Sequence, residues 1–310
     1  MKLSIVATLY RSAPGLREFH RRAMAAAGAL ADEVEMVLVD DGSPDESLDL
    51  ALEIQRGDPR VVVVELSRNF GHHRAMMTGL AQATGDLVFL LDSDLEEEPE
   101  ILGDFHARMM EGGWDVVYGV QAARRGGLVE RALGAAFYAI VDTLSDTKLP
   151  RNLVTARLMR RAYVDALVKH HDRSFVIAEL WQATGFRQTG MGVRKLSLSP
   201  TTYSFGQRLE MAVQQVVTTS TRLLHVIFHF GLLVFALSFA TMGFYLFRWL
   251  VHGVGVEGWL SVILSVWFFG GTVVMILGVL GLYIANIMHE TKRRPYTVIR
   301  SIHRAGARDE

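Results

Sequence analysis

The chain contains no cysteine, so disulfides, zinc–thiolate centres and thiol nucleophiles are all excluded. It also lacks a charge excess. The formal net charge is -1, which leaves no bulk electrostatic pull toward nucleic acid. The opening "MKLSIVATLY" is too short an apolar stretch for a secretory signal and has no small-residue cleavage pattern, so it reads as a first strand. Neither a G-x-G-x-x-G nor a Walker pattern occurs, which argues against a dinucleotide enzyme or a P-loop NTPase.

Charge is missing locally as well. Val226 to Phe247 has no Asp, Glu, Lys or Arg, and Trp259 to Met288 has none either. Runs of about 20 such residues are long enough to cross a bilayer core. A pair of buried core helices is the competing reading. The connection "RWLVHGVGVEG" is short, so the two spans form a hairpin with both outer ends on one side. Those ends carry Arg222, Lys292, Arg293, Arg294, Arg300 and Arg304, whereas the turn has only Arg248. The positive-inside rule then predicts a multi-pass protein of the cytoplasmic (inner) membrane, with its globular domain and both termini in the cytoplasm. Trp249 and Trp259 flank the turn as interfacial anchors. His229 is the sole ionisable group within the spans, which disfavours a transporter or flippase.

What the chain does have is hydrophobicity, at 50% of residues, concentrated in those two runs. Before about Leu224 it reads as a mixed globular domain. "LSIVATLY", "VEMVLVDDGS", "VVVVELSRNFG" and "DLVFLLDSD" are apolar runs that end in polar turns, with helical stretches between them. That alternation predicts an α/β domain with a mainly parallel sheet covered by helices. Ligands of such sheets bind beyond the carboxyl ends of the strands. The polar clusters fall there: Thr8 to Tyr10, Asp40-Asp41-Gly42-Ser43, Ser67-Arg68-Asn69 and Asp92-Ser93-Asp94.

The last cluster continues into Glu96, Glu97, Glu98 and Glu100. A solvated loop leading into an acidic helix start is one reading, since carboxylates favour a helix N-terminus. The other is a divalent cation site. Asp92 and Asp94, two apart at a strand end, can reach one small volume with Glu96 beside them, and hard oxygen ligands suit Mg²⁺ or Mn²⁺ carrying substrate phosphates. Glu97, Glu98 and Glu100, around Pro99, are expected in the first turn of the next helix. His72 and His73, after Gly71 in a loop near the same strand ends, read as surface residues, with a metal role as the lesser alternative.

"VLVDDGSPDES", "LSRNFGHHRAMMTGLAQATGD", "LLDSDLEEEPE", "ARLMRRAYVDAL" and "GVLGLYIANIMHETKRRP" together resemble the family-2 glycosyltransferases of GT-A fold. The closer resemblance is to the membrane-anchored polyisoprenyl-phosphate type, the dolichol-phosphate mannose synthases and bactoprenol glucosyltransferases, and it covers nearly the whole chain. It implies a nucleoside-diphosphate sugar donor and a polyprenyl phosphate acceptor. Tyr10 with Asp40 or Asp41 would hold base and ribose, and Asp92 would face the nucleotide. Thr8 and Arg68 complete the candidate nucleotide site. Asp94 and Glu96 would hold Mg²⁺ or Mn²⁺ at the diphosphate. Asp92, Asp94 and Arg157 are the candidate catalytic residues.

Departures from the family pattern are visible. Glu96 replaces the family's usual Gln, and Glu97-Glu98-Pro99 replaces Asp-Pro-Pro. Thr155 stands where many relatives carry an acidic residue, and Gln121 where they carry an arginine. A missing general base is tolerable for a phosphate acceptor, which is already anionic near neutral pH with a second pKa of about 6. Arg124, Arg125 and Arg131 are candidates for clamping that phosphate. The amphipathic stretches around them and at "SFGQRLEMAVQQVV" fit helices at a membrane surface.

The expected organisation is a GT-A catalytic domain over 1–204, a juxtamembrane amphipathic helix over 205–225, a two-helix transmembrane hairpin over 226–289 and a basic cytoplasmic tail over 290–310. The expected activity is inverting sugar transfer from the nucleotide to undecaprenyl or another polyprenyl phosphate. A homo-oligomer assembled through the spans is implied by the family. Two rivals are a different lipid-linked acceptor and a non-catalytic membrane scaffold that keeps a nucleotide fold. A processive polysaccharide synthase is disfavoured, because no Q-x-x-R-W follows and two spans are too few for a channel.

Overall fold

The computed structural model describes residues 1–121, 152–170, 172, 175–194, 222–252, 258–292 and 294–305. These fall into two compact units, the first holding every strand and the second the two long helices.

In the first unit, β1 (Lys2–Leu9), β2 (Glu33–Asp40), β3 (Val61–Leu66) and β4 (Leu87–Leu90) lie parallel, β1 pairing with both β2 and β4. Helices α1 (Leu16–Gly28), α2 (Ser47–Gly57) and α3 (His72–Gln82) make the crossovers. Nearly every residue of β1 is buried because helices cover both faces. Side chains alternate along each strand. Leu3, Ile5, Ala7 and Leu9 pack with Leu16 and Phe19 of α1 in one core. Val6, Val37, Val39, Val88 and Leu90 pack with Met76, Met77 and Leu80 of α3 in the other.

Beyond β4 the sheet changes direction. After α4 (Ile101–Gly112) come β5 (Val116–Gln121) and β6 (Leu153–Arg160), and β6 inserts antiparallel between β4 and β5. α5 (Arg161–Leu167) and α6 (Ile177–Ala183) follow, and β7 (Gln188–Val193) pairs parallel with β5 at one edge. The order is β7-β5-β6-β4-β1-β2-β3-β8, a mixed and mostly parallel sheet in line with the mainly parallel one expected, its antiparallel pairs being those of β6 and β8.

The eighth strand comes from the far end of the chain. β8 (Ile299–His303), within the stretch read as a basic tail, pairs antiparallel with β3. Thr297 Oγ1 lies 2.8 Å from Thr78 Oγ1, and Arg300 makes an ion pair of 2.8 Å with Glu65. Tyr296 packs against the second core.

In the second unit, α7 (Arg222–His252) and α8 (Trp259–Thr291) run 31 and 33 residues. Among the described residues, one helix is long and apolar enough to cross a membrane: α8, through Phe268–Ala285, with mean hydropathy 2.2 and no part of that window buried. α7 contains a shorter apolar stretch, Leu224–Val234. Residues 253–257, the turn of the expected hairpin, lie outside the described residues, as does most of the expected juxtamembrane helix.

Candidate active site

The crevice lies at the carboxyl ends of β4, β1, β2 and β3. Strand order reverses between β1 and β4, the switch point at which open α/β sheets bind ligands. Ser93 ties the two ends together there, donating its hydroxyl to the Thr8 carbonyl at 2.9 Å. Across the same gap, His72 places Nδ1 2.9 Å from Thr8 Oγ1 and Nε2 3.2 Å from Asp92 Oδ1. The second approach is a close contact without the alignment of a hydrogen bond. Tyr10 is half-exposed at the mouth, with the Arg11 guanidinium 5.7 Å from its ring centre.

Asp40 and Asp41, alike in sequence, take different positions. Both are buried. Asp41 accepts the Phe70 amide at 2.7 Å on one oxygen and the Gly71 amide at 2.9 Å on the other, so it is the anchor of the β3–α3 loop. Asp40 accepts the Ser43 amide at long range, 3.3–3.4 Å. Burial pushes its carboxyl up to about 6, against the pull of the Ser43 and Gly42 amides. Gly42 is required between them. Its φ is +61°, and a Cβ there would stand 2.5 Å from the Asn69 amide nitrogen. Arg68, on the loop so held, lies exposed over the Phe70 ring at 4.2 Å.

The acidic run divides its work by position. Leu95 has φ +59°, a left-handed turn at a non-glycine residue, of the kind concentrated at functional sites. That turn places Asp94 and Glu96 on either side of it, with Asp94 Oδ1 accepting the Glu96 amide at 2.9 Å. Glu97 corrects the helix-turn expectation. It is 1% exposed and its Oε2 accepts the Ala156 amide of β6 at 3.0 Å. α4 starts only at Ile101, after the whole run. Glu100 is held by a two-pronged bond from Arg22 of α1, at 2.9 and 2.6 Å.

Among the described residues, no group of three or more metal-binding side chains forms. The donor set still fits a hard cation, because Mg²⁺ or Mn²⁺ needs only one or two carboxylates when phosphates supply the rest. Asp94 and Glu96 on their strained turn offer that number.

Arg157 is beside the crevice but enclosed. Its β6 position pairs with Leu90 of β4 and Tyr118 of β5. The guanidinium is 1% exposed, stacked on Trp181 of α6, with Nε donating to the Thr155 carbonyl at 3.3 Å. Burial pushes its pKa down to about 9, opposed by Tyr163, Tyr118 and Glu97. Arg124, Arg125 and Arg131 lie outside the described residues.

Sequence reasoning placed Thr8, Asp40, Asp41, Arg68, Asp92 and Asp94 at strand ends, where the structure has them. It gave Ser93 and Glu97 no role of their own, and read His72 as a surface residue near the nucleotide, with a metal role as the lesser reading. The signal for His72 was its place, first residue of a helix that follows a strand-end polar cluster.

The glycosyl transferase family 2 model matches residues 4–168, which takes in every crevice residue named above. A Mycobacterium tuberculosis (strain CDC 1551 / Oshkosh) protein, provisionally described as a glycosyltransferase, is 45% identical over 98% of this chain and 89% of its own. The prophage-derived bactoprenol glucosyl transferase of Shigella flexneri is 29% identical, over 98% of this chain and 99% of its own. The undecaprenyl-phosphate 4-deoxy-4-formamido-L-arabinose transferase of Klebsiella pneumoniae is 29% identical, over 98% and 94% respectively.

Proposed function

The chain belongs to glycosyl transferase family 2, and from that premise we propose that it transfers a sugar from a nucleoside diphosphate to a polyprenyl phosphate at the cytoplasmic face of a membrane. Its fold is the GT-A-like α/β arrangement of that family. The observation that carries the acceptor is the end-to-end likeness to two transferases named for bactoprenol and undecaprenyl phosphate, at 98% coverage of this chain. A likeness confined to the catalytic half would leave the acceptor open. This one includes α7 and α8.

In this reading Tyr10 and Asp40 hold the nucleoside and Arg68 approaches its phosphates. Asp92 faces the ribose across the switch point. Asp94 and Glu96 would hold a divalent cation, which when bound offsets charge at the diphosphate. The acceptor phosphate is already anionic, so its oxygen attacks the anomeric carbon directly as the bond to the diphosphate breaks, inverting that centre. No carboxylate is needed to take a proton, which accords with Thr155 at the position discussed above. Positioning is the main catalytic demand on the protein.

Sheet topology supports a double crossing. β8 follows α8 in the chain, yet it pairs with β3, which precedes α7. A chain that leaves the sheet and returns to it crosses a membrane an even number of times. If α8 crosses, α7 is, among the described residues, the helix left to supply the second passage.

The test is a radiolabel transfer assay on the purified full chain, offering a panel of nucleotide sugars with undecaprenyl phosphate and Mg²⁺ or Mn²⁺. Label is expected in the lipid fraction. It should fall at least about 100-fold in Asp94→Asn and vanish with EDTA. Nucleotide binding with no lipid product from any donor would reject the acceptor.

A further inference from the structure

His72, the first residue of α3, reaches both strand ends flanking the switch point. Its imidazole stands 2.9 Å from Thr8 Oγ1 at the end of β1 and 3.2 Å from Asp92 Oδ1 beyond the end of β4. The side chain is 48% exposed and that of Asp92 19%, so the bridge lies in the crevice and not in the core. A single contact made through a half-exposed imidazole adds little to stability. Its position therefore calls for a role in what the crevice holds.

The problem at this point is one of charge. A carboxylate only accepts hydrogen bonds, and it repels the diphosphate of an approaching nucleotide. Turned toward the nucleoside, the same carboxylate meets ribose hydroxyls that donate. An imidazole beside Oδ1, itself fixed by the Thr8 hydroxyl, decides between these orientations. Resting on the proposed donor site, we infer that His72 is a positioning residue. It holds Asp92 toward the hydroxyls of the donor's nucleoside and away from its diphosphate.

Thr8 completes the arrangement from below. It is 7% exposed, and its carbonyl accepts the Ser93 hydroxyl next to Asp92. One threonine thus acts on Asp92 twice, through the side-chain hydroxyl of its neighbour Ser93 and through His72.

The experiment is calorimetric titration of the full-length protein with UDP, GDP and dTDP in the presence of Mn²⁺. Wild type is compared with His72→Ala, His72→Gln, Thr8→Val and the double variant His72→Ala/Thr8→Val. His72→Ala is expected to weaken binding of the preferred nucleotide about tenfold while its melting temperature stays within about 2 °C of wild type. His72→Gln, which keeps a donor and an acceptor, is expected to recover most of the loss. Thr8→Val should weaken binding by a smaller factor, and the double variant should bind no worse than His72→Ala, because both act through one bridge. Unchanged binding in His72→Ala would overturn the inference, as would losses that simply add in the double variant. Should His72→Ala fail to fold, the near-isosteric Thr8→Val decides, and wild-type affinity there overturns it. If wild type binds none of the three nucleotides, the proposed function falls and takes this inference with it.

Discussion

Asp40 shows how the crevice trades stability for readiness. Its carboxyl, pushed up to about 6 by burial, belongs to a group whose ordinary value is 3.8. Between these values the folded chain keeps a proton that the unfolded chain has released. Stability therefore falls as pH rises from about 3.8 through about 6, and the whole penalty is present above that. Asp40→Asn removes the charge and keeps an oxygen for the Ser43 amide. We expect it to raise the melting temperature near neutral pH, by up to about 3 kcal/mol of stability, with the gain fading toward pH 4. Nucleotide affinity should fall in the same variant. A thermal scan across pH beside a binding titration checks both signs, and a loss of stability at neutral pH would count against the burial account. Arg157 shows the opposite case of a charge made safe. Its guanidinium is packed on Trp181 with Tyr163 and Glu97 nearby. From sequence it read as a cation of the site, because nothing in "ARLMRR" tells that a tryptophan of α6, far along the chain, will cover it.

Among the elements, the strands that local pattern could announce are those that were legible. β1 to β4 are apolar runs closed by polar turns, and each polar turn lies at the carboxyl end of its strand, where the crevice forms. β8 could not be read this way. "IRSIH" has no strong alternation, and its partner strand lies more than 230 residues earlier, as the 235-residue separation of Arg300 and Glu65 shows. Pairing at that range depends on a register that no local periodicity encodes. His72 was missed for a related reason, since its role depends on Asp92 approaching it across the sheet. Gly42, by contrast, was legible as a turn but not as a contact. Its positive φ and the 2.5 Å approach to the Asn69 nitrogen mean that two loops share the space a side chain would fill. Gly42→Ala is expected to cost about 1–3 kcal/mol in stability and to weaken nucleotide binding by displacing the Arg68 loop. Chemical denaturation together with a nucleotide titration checks this, and an unchanged variant would show that the loops yield freely.

At the level of the whole molecule, β8 brings the segment after the two long helices back onto the sheet beside the crevice. The Val298 carbonyl accepts the Ser67 amide at 2.9 Å, and Arg300 Nη2 donates to the Ser67 carbonyl at 3.2 Å. Ser67 opens the loop that carries Arg68 and supplies the amides gripped by Asp41. The segment after the long helices thus holds one wall of the crevice. Removing residues 294–310 is expected to leave α7 and α8 able to insert, to bare the edge of β3, and to lower nucleotide affinity at least about tenfold. Membrane fractionation paired with nucleotide titration separates these effects. Full affinity in the shortened chain would make β8 a mere edge cover.

A consequence follows for the order in which the protein is made. Domains usually close from the N-terminus as a chain emerges from the ribosome. Here β8 follows α8 in the chain, so it leaves the ribosome only after both long helices have emerged. A chain stopped before them has the family's motifs and an incomplete sheet. The sheet edge beside the Ser67 loop is thereby closed late, by a segment that only a chain already carrying both long helices can supply.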